Sequence, residues 1–325
     1  MNPVVHRRLL LAGAAALAAP RIAAAQDAWP ARPVRYINPY AAGGPTDTLS
    51  RLLCQKMSEI SGQQFVVENR TGSGGLVGNQ AIAQSAPDGY TLGLGGIATH
   101  AIAPTLYARM PFDAQRDFTF ASGMWQLPNM LVVNLDVPAR SVAELIAHLK
   151  ANPGRLSYAS AGSGTTLHIS GELFKTMAGV EMTPVPYRGS AAAYPDILAG
   201  RVHMIFDNIP GALAQARAGR LRALGVTSAQ RSPVVPDTPA IAETLPGFDM
   251  TSWTCLCGPA GIAPATVARI SALARRALED EGLKAGYLEH GATAWWNTPE
   301  QMADFRASEE RRLAPIIRAS GARVD

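Results

Sequence analysis

Leu49, Leu52, Leu53, Met57 and Ile60 recur at intervals of three or four, which paints one apolar stripe along a helix starting near Thr46. Ahead of it, Val34, Tyr36 and Ile37 form a short apolar run that predicts a strand. The alternation repeats with a strand from Phe65 to Val67 and a helix from Leu76 to Gln84. A strand from Thr91 to Leu94 then follows the turn signal Pro87-Asp88-Gly89. A second set opens with a strand near Met130 to Val133 and a helix from Ser141 to Lys150, capped by the serine and closed by Asn152-Pro153-Gly154. Strand-like runs near Thr183 to Pro186, Val202 to Phe206 and Leu221 to Val226 are separated by short helices. A proline-rich stretch from Ser232 to Pro246 interrupts the pattern, and helices dominate from Pro264 onward. Such alternation predicts an α/β fold of mainly parallel sheets flanked by helices. The two sets predict two lobes, with the C-terminal helices returning to the first.

Composition agrees with this division. With 47 % hydrophobic and 17 % charged residues the chain has enough apolar material for a large core, and 325 residues suit two domains better than one. His6, Arg7 and Arg8 precede an apolar run from Leu9 to Ala19, and Ala23-Ala24-Ala25 offers a small-residue cleavage site, so residues 1–25 read as an export leader. The arginine pair followed by three leucines also fits a twin-arginine signal, although His6 stands where Ser or Thr is usual. The run is too short to span a bilayer and no later stretch is long enough, so the exported chain is expected not to be membrane-embedded. Removing the leader removes three arginines and reduces the net charge from +4 to +1, which withdraws the argument for a nucleic-acid partner.

Three cysteines, Cys54, Cys255 and Cys257, are an odd number and do not describe a disulfide framework. Cys-x-Cys lacks the second pair or histidine couple of a metal site, so buried thiols are expected and neither metal nor cofactor is called for.

The candidate chemistry lies in two loops. "PYAAGGPTDTLSR", Pro39 to Arg51, and "LSYASAGSGTTLH", Leu156 to His168, both run from strand through small residues and glycine to threonine and a helix. A helix N-terminus leaves N–H groups unpaired, and glycine lets a ligand approach them, so such ends attract anions. The first loop lacks the lysine and spacing of a Walker loop, and Gly72 to Gly78 misses the dinucleotide fingerprint by one residue and reads as a turn. Taken alone, Gly43-Gly44 reads equally well as a tight turn with Thr46 or Asp47 capping the helix. The second loop shifts the weight, because two such ends facing across a cleft would grip a carboxylate at each end.

The chain resembles the substrate-binding receptors of tripartite tricarboxylate transporters, the Bug-type periplasmic receptors. The likeness is carried by "PYAAGGPTD", "PDGYTLGLG", "LYARMPFDAQRDF", "LSYASAGSGTTLHISGELF", "VPYRGSAAAYPDILAGRVHMIFD", "GRLRALGVTSAQRSPVVPDTPAIAE" and "GPAGIAP", in that order over nearly the whole mature sequence. The resemblance implies a two-lobed periplasmic binding protein of type II-like fold, with lobe 1 from residues 26–127 and 253–325 and lobe 2 from residues 128–252. It further implies a monomer in the periplasm that performs no chemistry. Such a receptor closes on a small organic carboxylate, whether a di- or tricarboxylate, an aromatic acid or an amino acid, and delivers it to the membrane subunits of its transporter.

Carried over residue by residue, the ligand grip implied by the family falls on Tyr40, Ala42, Gly43, Gly44, Thr46 and Asp47 in lobe 1, with Thr99 and His100 on a third loop facing the cleft. In lobe 2 it falls on Ser160, Gly162, Ser163, Gly164, Thr165, Thr166 and His168, flanked by Tyr187, Arg188 and Gly189 and closed by Asp207. Asp47 either caps its helix or meets a ligand ammonium; His168 is either a packed histidine or a contact. Arg188 either pairs with a distal carboxylate or forms an outward salt bridge, and Asp207 either meets the ligand or caps the helix that follows. Ligand preference is expected to depend on Tyr40, Trp125 and Trp253, and "WTCLCGPAG" departs from the family pattern by its cysteines. A rival reading, a secreted hydrolase using Ser163, His168 and Asp47 or Asp207, suffers because Ala161 breaks the Gly-x-Ser-x-Gly pattern.

Overall fold

A computed structural model of the chain describes residues 29–324, so the leader read at residues 1–25 lies outside the described residues. Strands β1 (Val34–Asn38), β2 (Phe65–Asn69) and β3 (Thr91–Gly96) pair in parallel in the order β2-β1-β3, with α1 (Pro45–Ser61) and α2 (Leu76–Ala83) as crossovers. The stripe predicted for α1 does what its spacing demands, burying Leu49, Leu53 and Met57 against the sheet. Gly62 ends the helix in a left-handed cap. After β3 come a π-helical turn, Ala98–Ile102, and the short helix α3 (Ala103–Leu106).

Strand β4 (Phe118–Asn134) is 17 residues long, and the periodicity had marked only its second half. Beyond it lie α4 (Val142–Ala151), β5 (Ser157–Ser160), α5 (Thr166–Ala178), β6 (Thr183–Pro186), α6 (Tyr194–Leu198), β7 (Met204–Asn208), α7 (Ile209–Arg217) and β8 (Leu221–Val226). The predicted serine cap of α4 is present, with Ser141 Oγ accepting the Glu144 N–H at 3.2 Å. The chain returns along β9 (Thr251–Pro259) and finishes with α8 (Pro264–Leu278), α9 (Glu281–Glu289), β10 (Thr293–Ala294) and α10 (Pro299–Ala319).

Two lobes share β4. Its first half pairs with β9 and β10, and its second half with β7 and β8, giving the sheet order β2-β1-β3-β9-β4-β7-β5-β6. Each lobe is therefore mixed, not mainly parallel: β9 runs antiparallel to both β3 and β4, and β7 runs antiparallel to β4. The reason is the route of the chain. It crosses on β4 from one lobe to the other and must come back on β9 in the opposite sense.

One apolar cluster joins Leu49, Leu53, Met57, Trp125 and Tyr287 in the first lobe, and another joins Met130, Ile205 and Ile209 in the second. A third runs through both, from Phe112 and Phe118 by way of Met302 and Leu313 on α10 to Ile169 and Phe174 on α5. The three cysteines are free and buried. Cys255 and Cys257 stand opposite Gly95 and Gly93 across the β3–β9 ladder, and a Cβ on Gly95 would come within 2.9 Å of Cys255 Sγ. Glycine in β3 thus makes the space that the thiols fill.

Trp125 and Trp253, expected to influence ligand preference, are each 1 % exposed and belong to these cores. Among the described residues no helix is long and apolar enough to cross a membrane.

Candidate functional site

The first loop leaves β1 at Asn38 and enters α1 at Pro45, whose missing N–H costs nothing in the first turn. Ala42 and Gly43 are exposed, Gly44 is the N-cap without a side-chain cap, and Gly43 adopts φ +77°. Asp47 holds this loop from below. Its carboxylate accepts the Gly43 N–H at 2.9 Å, Arg51 Nε at 2.9 Å and Asn69 Nδ2 at 2.8 Å. Burial by itself would raise its pKa; the hydrogen bonds from Arg51, Gly43 and Asn69, with the Arg51 charge, more than offset that and hold the carboxyl well below the usual range. With its oxygens so engaged and the residue 3 % exposed, Asp47 braces the loop and offers no face to a ligand. The α1 N–H groups left over are those of Thr46 and Asp47, because Thr48 already donates to the Gly44 carbonyl.

A wall of phenols stands beside this loop. A Cβ on Gly75 would meet Thr99 Cγ2 at 3.1 Å and the Tyr40 ring at 3.3 Å, so Tyr40, Gly75 and Thr99 are in contact. Burial, with Tyr107 nearby, pushes the Tyr40 phenol up to about 12, and Tyr107 Oη donates to the Ser73 carbonyl at 3.3 Å. His100 does not join this wall. It is fully buried in a box formed by Phe112, Phe118 and Phe120, with ring centroids 6.0, 4.6 and 5.6 Å away, and Thr99 Oγ1 lies 2.8 Å from its Nδ1. The expectation of a cleft-facing His100 is corrected: adjacent residues of a helical turn point in different directions, and while the His100 ring fills the phenylalanine box, Thr99, also buried, sets its methyl against Gly75.

In the second lobe the loop between β5 and α5 repeats the device of the first. Thr165 caps α5, its Oγ1 donating to the Gly162 carbonyl at 2.8 Å and accepting the His168 N–H at 3.4 Å. His168 Nδ1 accepts the Gly164 N–H at 3.3 Å, a role open only to the neutral ring. Burial lowers the His168 pKa and keeps it neutral, with Lys175 acting in the same direction and Glu172 against. His168 therefore shapes the loop. Ser163 is exposed, Gly162 and Thr166 are half-buried, and the N–H groups of Thr166 and Leu167 are those the helix leaves unpaired. Ser160 is fully buried with no partner for its hydroxyl.

Alongside, the Tyr187 N–H donates to the Ser160 carbonyl at 2.9 Å and its phenol donates to Asp196 at 2.7 Å. Arg188 is exposed and takes part in no hydrogen bond or ion pair among the described residues, which removes the outward salt bridge from consideration. Gly189, at φ +95°, has open space where a Cβ would stand. Asp207 is 2 % exposed and accepts the Tyr194 hydroxyl at 2.5 Å, while Asn208 provides the N-cap of α7. Burial raises the Asp207 pKa against the hydrogen bonds that oppose it. It is an internal tie between β7 and α6, neither an open contact nor the helix cap.

The first lobe meets the second glycine loop. A Cβ on Gly164 would stand 2.1 Å from Leu106 Cδ2, so α3 of the first lobe lies directly against the second glycine loop. Leu106, Tyr107 and Gly75 were not among the predicted grip residues, since a family block or a turn glycine does not say which of its side chains reaches the site. The hydrolase constellation is not assembled: Asp47 accepts from Gly43, Arg51, Asn69 and Asn38, Asp207 accepts from Tyr194, Ser190 and the Asn208 backbone, and none of these bonds joins either to His168. A separate cavity of about 300 Å3 lies where the chain crosses between lobes, lined by Gln126, Thr251, Trp253 and Glu309 among others and by none of the predicted grip residues.

The profile of the tripartite tricarboxylate transporter family receptor matches residues 49–322. BugT of Bordetella pertussis is 35 % identical over 300 residues, covering 92 % of each chain. The structure of R. palustris Rpa4515 with adipate superimposes with a TM-score of 0.80 at 36 % identity, covering 91 % of this chain and 100 % of that one. MatC from Rhodopseudomonas palustris with bound malate gives a TM-score of 0.74 at 30 % identity, covering 89 % and 100 %.

Proposed function

The chain belongs to the tripartite tricarboxylate transporter receptor family, a Bug-type receptor, and from that membership we propose that it captures a small organic carboxylate between its lobes and delivers it to a transporter of that type. The observation that supports this reading is the pair of glycine loops, each at a helix N-terminus with two unpaired N–H groups, the second of them lying against Leu106 on α3 of the first lobe. Relatives of similar fold hold adipate and malate, which supports an acid with two carboxylates.

In this reading the grip consists of Tyr40, Ala42, Gly43, Gly44, Thr46 and Thr99 from the first lobe, and Ser160, Gly162, Ser163, Gly164, Thr165 and Thr166 from the second. Tyr187, Arg188 and Gly189 stand at the rim, and Arg188 supplies an unpaired positive charge toward a distal carboxylate. Asp47 and His168 act behind the loops, by setting their shape. The first lobe comprises residues 26–127 and 253–325 and the second residues 128–252, with residues 1–25 directing export to the periplasm. The protein acts as a monomer and performs no chemistry on its ligand.

The test is a thermal-shift screen of the mature protein, unfolded and refolded to strip carried-over ligand, against adipate, malate, citrate, aromatic acids, amino acids and simple esters. An acid present at a hundredfold excess over its Kd stabilises by ~2.7 kcal/mol. A shift with one class of acid, lost in Gly43→Val or Ser163→Val, supports the reading. Turnover of an ester with no shift from any acid overturns it.

A further inference from the structure

Where the chain crosses between lobes, the terminal helix α10 is tied to the crossing strand by a buried polar network. Trp253, on β9 opposite Gln126 of β4, donates its indole N–H to Glu309 at 3.1 Å. Glu309, 7 % exposed, also accepts Arg312 Nε at 2.7 Å and Nη2 at 3.0 Å, so the guanidinium is gripped as a fork. The remaining arm, Nη1, donates to the Asp249 carbonyl at 2.9 Å, on the segment that leads from the second lobe into β9. The same helix packs on α3 and the π-helical turn of the first lobe and on α5 of the second. The cavity of about 300 Å3 beside the network separates the loop after β8, at Ser228 and Gln230, from Phe305 and Glu309 on α10.

We propose that Arg312, oriented by Glu309, is a positioning residue that latches the crossing strand to α10 and so sets how readily the lobes stand closed. Resting on the receptor reading above, the latch controls ligand retention without touching ligand. The fork geometry is the reason for arginine here. Two of its arms are fixed by one carboxylate, so the third reaches the carbonyl in one direction only, which a lysine would not enforce. Swinging the second lobe moves the Asp249 carbonyl, and the bond is made in one arrangement of the lobes and lost in the other.

The test measures the spacing of the lobes in ligand-free protein, by electron–electron resonance between nitroxides at Gln55→Cys on α1 and Leu135→Cys beyond β4. Both positions are exposed, and the three native thiols are buried and out of reach of the label. Arg312→Gln is expected to shift the ratio of short to long separations roughly tenfold toward the long, the effect of losing one charge-assisted hydrogen bond from one of two states. Arg312→Lys, which keeps the charge and loses the fork, is expected to show the same direction and serves if Arg312→Gln folds poorly. An unchanged distance distribution in folded variant protein overturns the latch. Because no ligand enters this measurement, its failure is distinguishable from a failure of the carboxylate screen.

Discussion

The Gly43 N–H and the Asp47 carboxylate, 2.9 Å apart, form a brace that the second lobe repeats with Gly164 and His168 at 3.3 Å. In each case a side chain one helical turn in accepts the amide of a loop glycine, so that amide is not available to a ligand. The braces fix the loop, and the N–H groups that remain free belong to the first helical residues behind it. On the proposed reading, ligand affinity and loop stability rest on different groups in both lobes, which makes them separable by substitution.

Asp47→Ala removes the one acceptor shared by Gly43, Arg51 and Asn69. It is expected to cost about 2–4 kcal/mol, since donors beneath the loop lose a charged partner. The Asp47 carboxyl titrates lower in the folded chain than in the unfolded one, so its contribution is whole above the ordinary carboxylate pKa near 4 and is lost as pH falls below it. Urea unfolding of parent and Asp47→Asn at neutral pH and at about pH 3 checks this. The gap between them should narrow in acid, and a gap that widens would contradict the brace.

Much of this was legible beforehand, and the exceptions have physical causes. The stripe from Leu49 to Met57, the serine cap of α4 and the glycine loops follow from local patterns, because propensity and capping are local. The first half of β4 was missed because Gly123 and Pro128 break its alternation, and it is held as a strand by β9, more than a hundred residues away. Within the site, residue types pointed to anion binding, but direction did not follow from type. His100 sits beside Thr99 and faces the phenylalanine box, and Leu106 became visible only through its contact with Gly164. The Trp253–Glu309–Arg312 network joins residues from distant segments, for which a single chain offers no periodic signal.

Gly164→Ala is expected to weaken carboxylate binding roughly tenfold or more, through left-handed backbone strain and overlap with Leu106. The backbone lies at φ +79°, and the added methyl would stand 2.1 Å from Leu106 Cδ2. Adding Leu106→Ala relieves the overlap and leaves the strain, so the pair should recover part of the loss. Calorimetric titration with the acid that gives the largest thermal shift measures both. Full affinity in Gly164→Ala would mean that the two lobes need not meet there.

Arg188→Gln should leave stability unchanged within about 0.5 kcal/mol, because the side chain is exposed and without a partner among the described residues. Affinity for a dicarboxylate is expected to fall about three- to tenfold, with a weaker dependence on salt than the parent shows. Titrations at two salt concentrations test this. Equal affinities and equal salt slopes would place Arg188 outside the ligand's field.

His100 supplies a pH dependence of stability that no ligand is needed to see. Burial, reinforced by the Arg306 guanidinium, holds its imidazole down to about 3, whereas the unfolded chain takes up that proton near 6.5. Between those values the unfolded state binds a proton that the folded state refuses. The contribution of His100 is therefore complete above about pH 6.5 and is lost steadily as pH falls toward the folded value, at about 1.4 kcal/mol per unit once the unfolded histidine is fully protonated. His168 and His203, whose pKa values burial also lowers, act in the same direction and are common to parent and variant. His100→Phe places a ring of similar size in a box already made of Phe112, Phe118 and Phe120, and gives up the contact with Thr99 Oγ1. The variant should be no more stable than the parent near neutrality, yet lose stability more slowly between about pH 6 and 4.5, a window above the Asp47 transition. Chemical unfolding across that window gives the two slopes, and parallel slopes would mean that the His100 ring finds its proton without unfolding.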